Sequence, residues 1–188
     1  MIEFRVVALV IFLLLSGCSV GDRPDAHLSF SKFYQSEARY AIEFYSDRDI
    51  DRLFFPEKGE KTVSRSLICA LEKDQDFRVE HSLAKLFDGG LNLEGREGVQ
   101  RYKYSSAGNF FLTWDGDARR RTLDSREVLK LLEDKQEINC KVVVTVYLHR
   151  PYYSQVMKIP VSALVNVLKQ VQPPKSCCNV QDAFTRRQ

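Results

Sequence analysis

The sequence predicts an α+β domain, a mostly antiparallel sheet with two main helices packed on one side. Apolar residues alternate with period two over many short segments, the signature of half-buried strands. Polar residues occupy the intervening positions, which suits an antiparallel sheet better than a parallel one. Two other segments space their apolar residues at helical intervals and carry start and stop signals. Many strands with few helices give this architecture. The chain has no internal repeat and no low-complexity segment.

The first element is a leader. Arg5 and the amino terminus precede the ten apolar residues Val6 to Leu15, with Ser16 and Gly17 after them. A charged end, a short apolar segment and a small-residue junction form the layout of a secretory signal. Ten apolar residues are too few for a membrane-spanning helix, which needs about 20. The junction Leu15-Ser16-Gly17-Cys18 resembles the lipobox of bacterial lipoproteins at all four positions. That resemblance implies cleavage before Cys18, with lipid on its sulfur and on the new amine. Two or more acyl chains make a stable anchor where one is marginal. Ser19, rather than an aspartate, implies sorting to the outer membrane. The chain therefore divides into a signal peptide (1–17), a flexible lipidated linker (18–27) and one globular domain (28–188).

Strands follow in order. Tyr40, Ile42 and Phe44 share one face, as do Val63, Leu67, Cys69 and Leu71, then Phe77 and Val79. "SSAG" between "VQRYKY" and "NFFLTW" predicts a hairpin turn, and Phe110, Leu112 and Trp114 alternate beyond it. Asp115-Gly116 favours a second tight turn. In "TLDSREVLKLLEDK", Asp124 caps a helix and Glu127 reaches back to it, with Leu123 and Val128 as the hydrophobic staple. The strongest alternation is Cys140, Val142, Val144, Val146 and Leu148, and "HRPYY" makes a third hairpin. The last helix lies in "IPVSALVNVLKQVQPP", where Leu164, Val167, Leu168 and Val171 share a face and Pro173-Pro174 stops it. Short helical turns are expected at 47–54 and 83–87, and "DGGLNLEGREG" reads as a surface loop.

The chain has 28 cationic and 25 anionic side chains, and removal of residues 1–17 leaves 171 residues with the same net charge of +3, because Glu3 and Arg5 cancel. That length suits one domain with a real core. The balance of charge is too even to imply nucleic acid. Beyond Cys18 the chain has Cys69, Cys140, Cys177 and Cys178. In an exported chain these are disulfide candidates. Cys69 and Cys140 share parity with core residues, so both thiols point inward. Two pairings follow: Cys69 to Cys140, or each core cysteine to one tail cysteine. A bond between the adjacent Cys177 and Cys178 is the least attractive geometrically. Pro173-Pro174 turns the chain back, and the reading favours at least one core-to-tail bridge. With neither C-x-x-C nor paired histidines at ligand spacing, no metal is expected, and no cofactor.

Candidate chemistry is sparse. The glycines Gly89, Gly90, Gly95 and Gly98 fit no phosphate-loop pattern. His27, His81 and His149 are the only histidines, and G-x-S-x-G and H-E-x-x-H are both missing. Glu94 and Glu97 are an acidic pair of the type glycoside hydrolysis uses, a role set by their separation in space. Arg119, Arg120 and Arg121 are candidates for contact with a partner's acidic patch or anionic lipid. The commoner role of such a run is to guard a sheet edge. Tyr152 and Tyr153, expected at a hairpin tip, are the other partner-binding candidates, since tyrosine is enriched at interfaces. The alternative places Tyr153 in the core. The expectation is a lipid-anchored, non-catalytic envelope module with a protein partner, in envelope assembly, secretion or toxin immunity by analogy of class. The rival is a periplasmic hydrolase whose site is assembled from dispersed residues.

Overall fold

The computed structural model describes residues 23–54, 62–98, 101–116, 118–147 and 150–170. In chain order these form β1 (Leu28–Ser36), β2 (Arg39–Ser46), α1 (Ile50–Phe54), β3 (Thr62–Ala70), β4 (Lys85–Arg96), β5 (Tyr102–Trp114), β6 (Arg119–Thr122), α2 (Ser125–Leu132), β7 (Glu137–Val146), β8 (Tyr152–Tyr153), β9 (Met157–Pro160) and α3 (Val161–Leu168). The strands run in the order β1-β2-β5-β4-β3-β7-β8, with β6 added beside β5 and β9 beside β7. Each of these pairings is antiparallel. The expected antiparallel sheet is present, and it dominates. The described helices span only five, eight and eight residues.

The sheet curls until its first strand lies against β9 and α3. The segment before β1 fastens the two edges together. Ala26 N–H donates to the Tyr152 hydroxyl at 2.7 Å, and Gln155 N–H donates to the Ala26 carbonyl at 3.0 Å. His27 N–H meets the Asp47 carboxylate at 2.8 Å. The linker expected over 18–27 is therefore shorter: Ala26 is fully buried, and the domain already includes it.

Inside the curl, alternate residues build one core. Ile42, Phe44, Leu67, Phe87, Phe110, Val142 and Val144 are completely buried, joined by Val128 and Leu132 of α2 and Leu164 of α3. Phe33, Tyr40, Phe87 and Phe110 pack ring to ring at 5.2–6.3 Å. A smaller cluster forms on the outer face, where Phe77 and Leu83 of the 71–84 loop cover Ala70 and Leu86.

Two turn readings are overturned. "SSAG" is not a hairpin, because β5 runs unbroken through it. Its small residues are needed where β4 crosses closely: Gly108 sits opposite Gly89, and a Cβ on Gly108 would lie 2.0 Å from the Asp88 carbonyl oxygen. Likewise, most of "DGGLNLEGREG" and the expected turn at 83–87 belong to β4. Gly and Ser signal turns when a strand is read alone. Between two close neighbours they signal proximity. The Asp115-Gly116 turn is present, with φ of 56° and 63°. So is the capping box of α2, in which Asp124 accepts from the Arg126 and Glu127 N–H groups and Glu127 accepts from Asp124 N–H.

Candidate functional site

Tyr152 is not an exposed anchor. It begins β8 with 5% exposure, packs edge-on to Phe54 at 5.1 Å, and its hydroxyl takes the Ala26 N–H bond. Burial raises the phenol above its usual range. Tyr153 is half-buried. Its ring joins the outer apolar cluster, and its hydroxyl accepts from Val79 N–H at 3.0 Å. Both rings are structural.

The arginines line the short strand β6, and each has a carboxylate in its own chain. Arg119 lies 3.6 Å from Asp115, Arg120 lies 3.2 Å from Asp88 and over the Phe111 ring, and Arg121 grips Glu127 with two bonds. The Arg121 bond holds the Glu127 carboxyl down to about 2. Opposite Arg119, on β5, stands Trp114, the only tryptophan in the chain. Strand parity with Phe110 suggests a core residue. The strand outruns the core, however, and Trp114 is 42% exposed at the mouth of the turn.

Cys69 and Cys140 face each other directly across β3 and β7 and are joined by a disulfide, both fully buried. The expected core-to-tail bridge is therefore excluded for both core cysteines. Cys18, Cys177 and Cys178 lie outside the described residues, as does His149.

His81 is not on a strand. It sits in the 71–84 loop, its Nε2 at 2.5 Å from the Asp74 carboxylate, and that bond raises its pKa. Asp74 also accepts from Asp76 N–H, and Asp76 clasps Arg78. Ser82 follows next in the chain, yet its buried hydroxyl bonds to neither. Glu94 and Glu97 have separate partners: Ser105 donates to Glu94, whereas the Tyr45 hydroxyl donates to Glu97 at 3.3 Å. Among the described residues, no group of three or more His, Cys, Asp or Glu side chains is arranged to hold a metal ion.

One arrangement on the outer face of the sheet was not legible in the sequence. Lys32, Glu43, Ser105 and Asn92 stand opposite one another across β1, β2, β5 and β4. Lys103 bonds Glu43 at 3.1 Å, and the Tyr34 hydroxyl is bonded to the same carboxylate. Register breaks at Phe30/Lys32 and Leu93/Gly95 lie on either side of this row. Bulges of this kind re-aim side chains, here Lys32 and Glu94.

No family model matches this chain, and no curated protein and no solved structure matches it either.

Proposed function

We propose that this chain is a lipid-anchored envelope protein, tethered through Cys18 at the outer membrane, whose domain binds a protein partner. The export reading is supported by the Cys69–Cys140 disulfide, since such bonds persist in oxidising compartments and are rare in reducing ones. The observation that carries the binding role is Trp114. An exposed indole opposite Arg119, at the start of a tight turn with left-handed residues at Asp115 and Gly116, combines two residue types enriched at binding hot spots. It takes the place that Tyr152 and Tyr153 hold in the sequence-based expectation. The arginines contribute to this surface through directed hydrogen bonds, because their charges are already balanced within the chain.

Two measurements test the reading separately. Labelled palmitate should enter the wild-type protein and not Cys18→Ser; equal labelling would remove the tether. A photo-crosslinking residue at position 114, in protein expressed in its own envelope, should yield an adduct of defined mass. The same residue at the exposed position 35 should not. No adduct above that control would remove the hairpin as a binding surface.

A further inference from the structure

The strand registers sort the connecting segments to the two ends of the sheet. Leu28 pairs with Ser46, Ser46 with Tyr102, Tyr102 with Arg96, and Thr62 with Val146. Residues 23–27, 47–54, 97–98, 101, 147 and 150–151 therefore share one end. Side chains tie that end together: Arg23 lies over the Phe54 ring at 4.6 Å, Phe54 packs on Tyr152 at 5.1 Å, and Arg101 lies over the Tyr45 ring at 3.7 Å. The Trp114 turn stands at the other end. Between the two, β5 runs 13 residues from Tyr102 to Trp114, about 40 Å.

The first end has a distinct chemistry. Among the described residues its basic side chains, His27 aside, are all arginines: Arg23, Arg48, Arg52, Arg101 and Arg150. Arg48, Arg101 and Arg150 are exposed, and the Arg52 side chain is 81% exposed. The carboxylates there are as many, but four of them accept bonds within the chain. Asp47 takes His27 N–H, Asp49 takes Arg52 N–H, Asp51 bonds Arg65, and Glu97 takes the Tyr45 hydroxyl. Tyr147 stands at the same end with 68% exposure, the highest of the exposed large apolar side chains among the described residues. A guanidinium fork fits phosphate with two parallel bonds, which an ammonium cannot do. Tyrosine, apolar in body and polar at its tip, is enriched where membrane meets water.

The place where the tether joins decides which surface this end meets. Cys18 precedes Arg23 by five residues, which span at most about 18 Å when fully extended. We propose that the tethered end, through Arg48, Arg52, Arg101, Arg150 and Tyr147, rests on the phospholipid headgroups of the membrane that holds Cys18, and so points the Trp114 turn away from it. This rests on the lipid-anchor reading. A lipid on Cys18 keeps the arginine end within about 18 Å of the bilayer, so contact there is an intramolecular event. Short tethers give effective concentrations in the millimolar range, at which individually weak headgroup contacts suffice. Because arginines and carboxylates are equal in number at this end, the attraction comes from arginine–phosphate bonds and the tyrosine ring rather than from net charge.

The test uses the full mature chain, purified with its lipid and reconstituted in vesicles of phosphatidylethanolamine and phosphatidylglycerol, with and without a lipid carrying a nitroxide on its headgroup. Trp114 is the only tryptophan in the chain, so Tyr147→Trp combined with Trp114→Phe moves the single fluorophore from one end to the other. Position 147 should be quenched several-fold more strongly than Trp114 in the otherwise unchanged chain. Arg48→Glu with Arg150→Glu should cut the quenching at position 147 by about half or more, at an unchanged Tm, since both side chains are exposed. Intact mass reads the lipid separately. A chain without lipid removes the anchor reading and this proposal with it. In a lipidated chain, three outcomes overturn this proposal alone: equal quenching at both positions, no quenching at 147, or undiminished quenching in the double arginine variant.

Discussion

Reduction of the Cys69–Cys140 bond should destabilise the domain by a calculable amount. The bond closes a loop with a sequence separation of 71 residues. In the chain-entropy model, closing a loop of that length in the unfolded state contributes about 4 kcal/mol. Little is lost from the folded side, since β3 and β7 stay paired on both flanks of the bond, from Thr62 to Ala70. Both cysteines are fully buried, so the reductant must act on the unfolded state. Urea unfolding followed by tryptophan fluorescence, with and without dithiothreitol, measures the difference. With a urea slope of about 2 kcal/mol/M, the midpoint should fall by about 2 M. Peptide mapping of the oxidised protein should place Cys69 and Cys140 in one linked pair. A shift in midpoint below about 0.5 M would refute the entropic account. A link from either core cysteine to Cys177 or Cys178 would refute the pairing itself.

Three further outcomes are expected. Tyr152→Phe removes the acceptor for a buried N–H, so thermal or urea unfolding should show a loss of about 1–3 kcal/mol, whereas an exposed binding tyrosine would show almost none. Glu127 has a folded pKa depressed to about 2, first through its bond to Arg121 and then through Asp124 N–H. Its contribution is therefore present above its unfolded value near 4.5 and fades as pH falls from there toward 2. Glu127→Gln should flatten the acid limb of a pH–stability curve over that window, and an unchanged limb would contradict the assignment. His81 has a raised folded pKa, first from its bond to Asp74. That contribution is complete below pH 6.5 and lost as pH rises through the folded value. NMR titration should find its midpoint above 6.5 and returning toward 6.5 in Asp74→Asn; equal midpoints would exclude the bond.

Elements whose signals are local were legible in the sequence. The capping box at Asp124 and Glu127 involves residues three apart, and α3 carries its apolar stripe within eight residues. The inward parity of Cys69 and Cys140 could also be read, because alternation reports the face of a strand. What failed depends on partners distant in the chain. "SSAG" looks like a turn until Gly108 is seen against Gly89. The hydroxyl of Tyr152 finds its donor 126 residues away. Trp114 keeps the parity of core residues while standing beyond the end of the core, and alternation carries no information about where a core stops. The polar row of Lys32, Glu43, Ser105 and Asn92 combines residues of four strands with two register breaks, neither of which has a local signature.

The seam made by Ala26 with Tyr152 and Gln155 has a consequence for the order in which the molecule is completed. Those contacts join the first described residues to nearly the last. A chain that emerges amino terminus first presents β1 and β2 long before β8 and β9 exist to receive them. Until residue 155 arrives, the Ala26 backbone groups have no partner and one edge of the sheet stays open. Non-local closure of this type slows folding, and open edges invite pairing with other chains. The domain therefore cannot be finished piecemeal as it emerges. Its last quarter is the step that shuts it, and truncation after β7 should leave an aggregating sheet rather than a smaller stable protein.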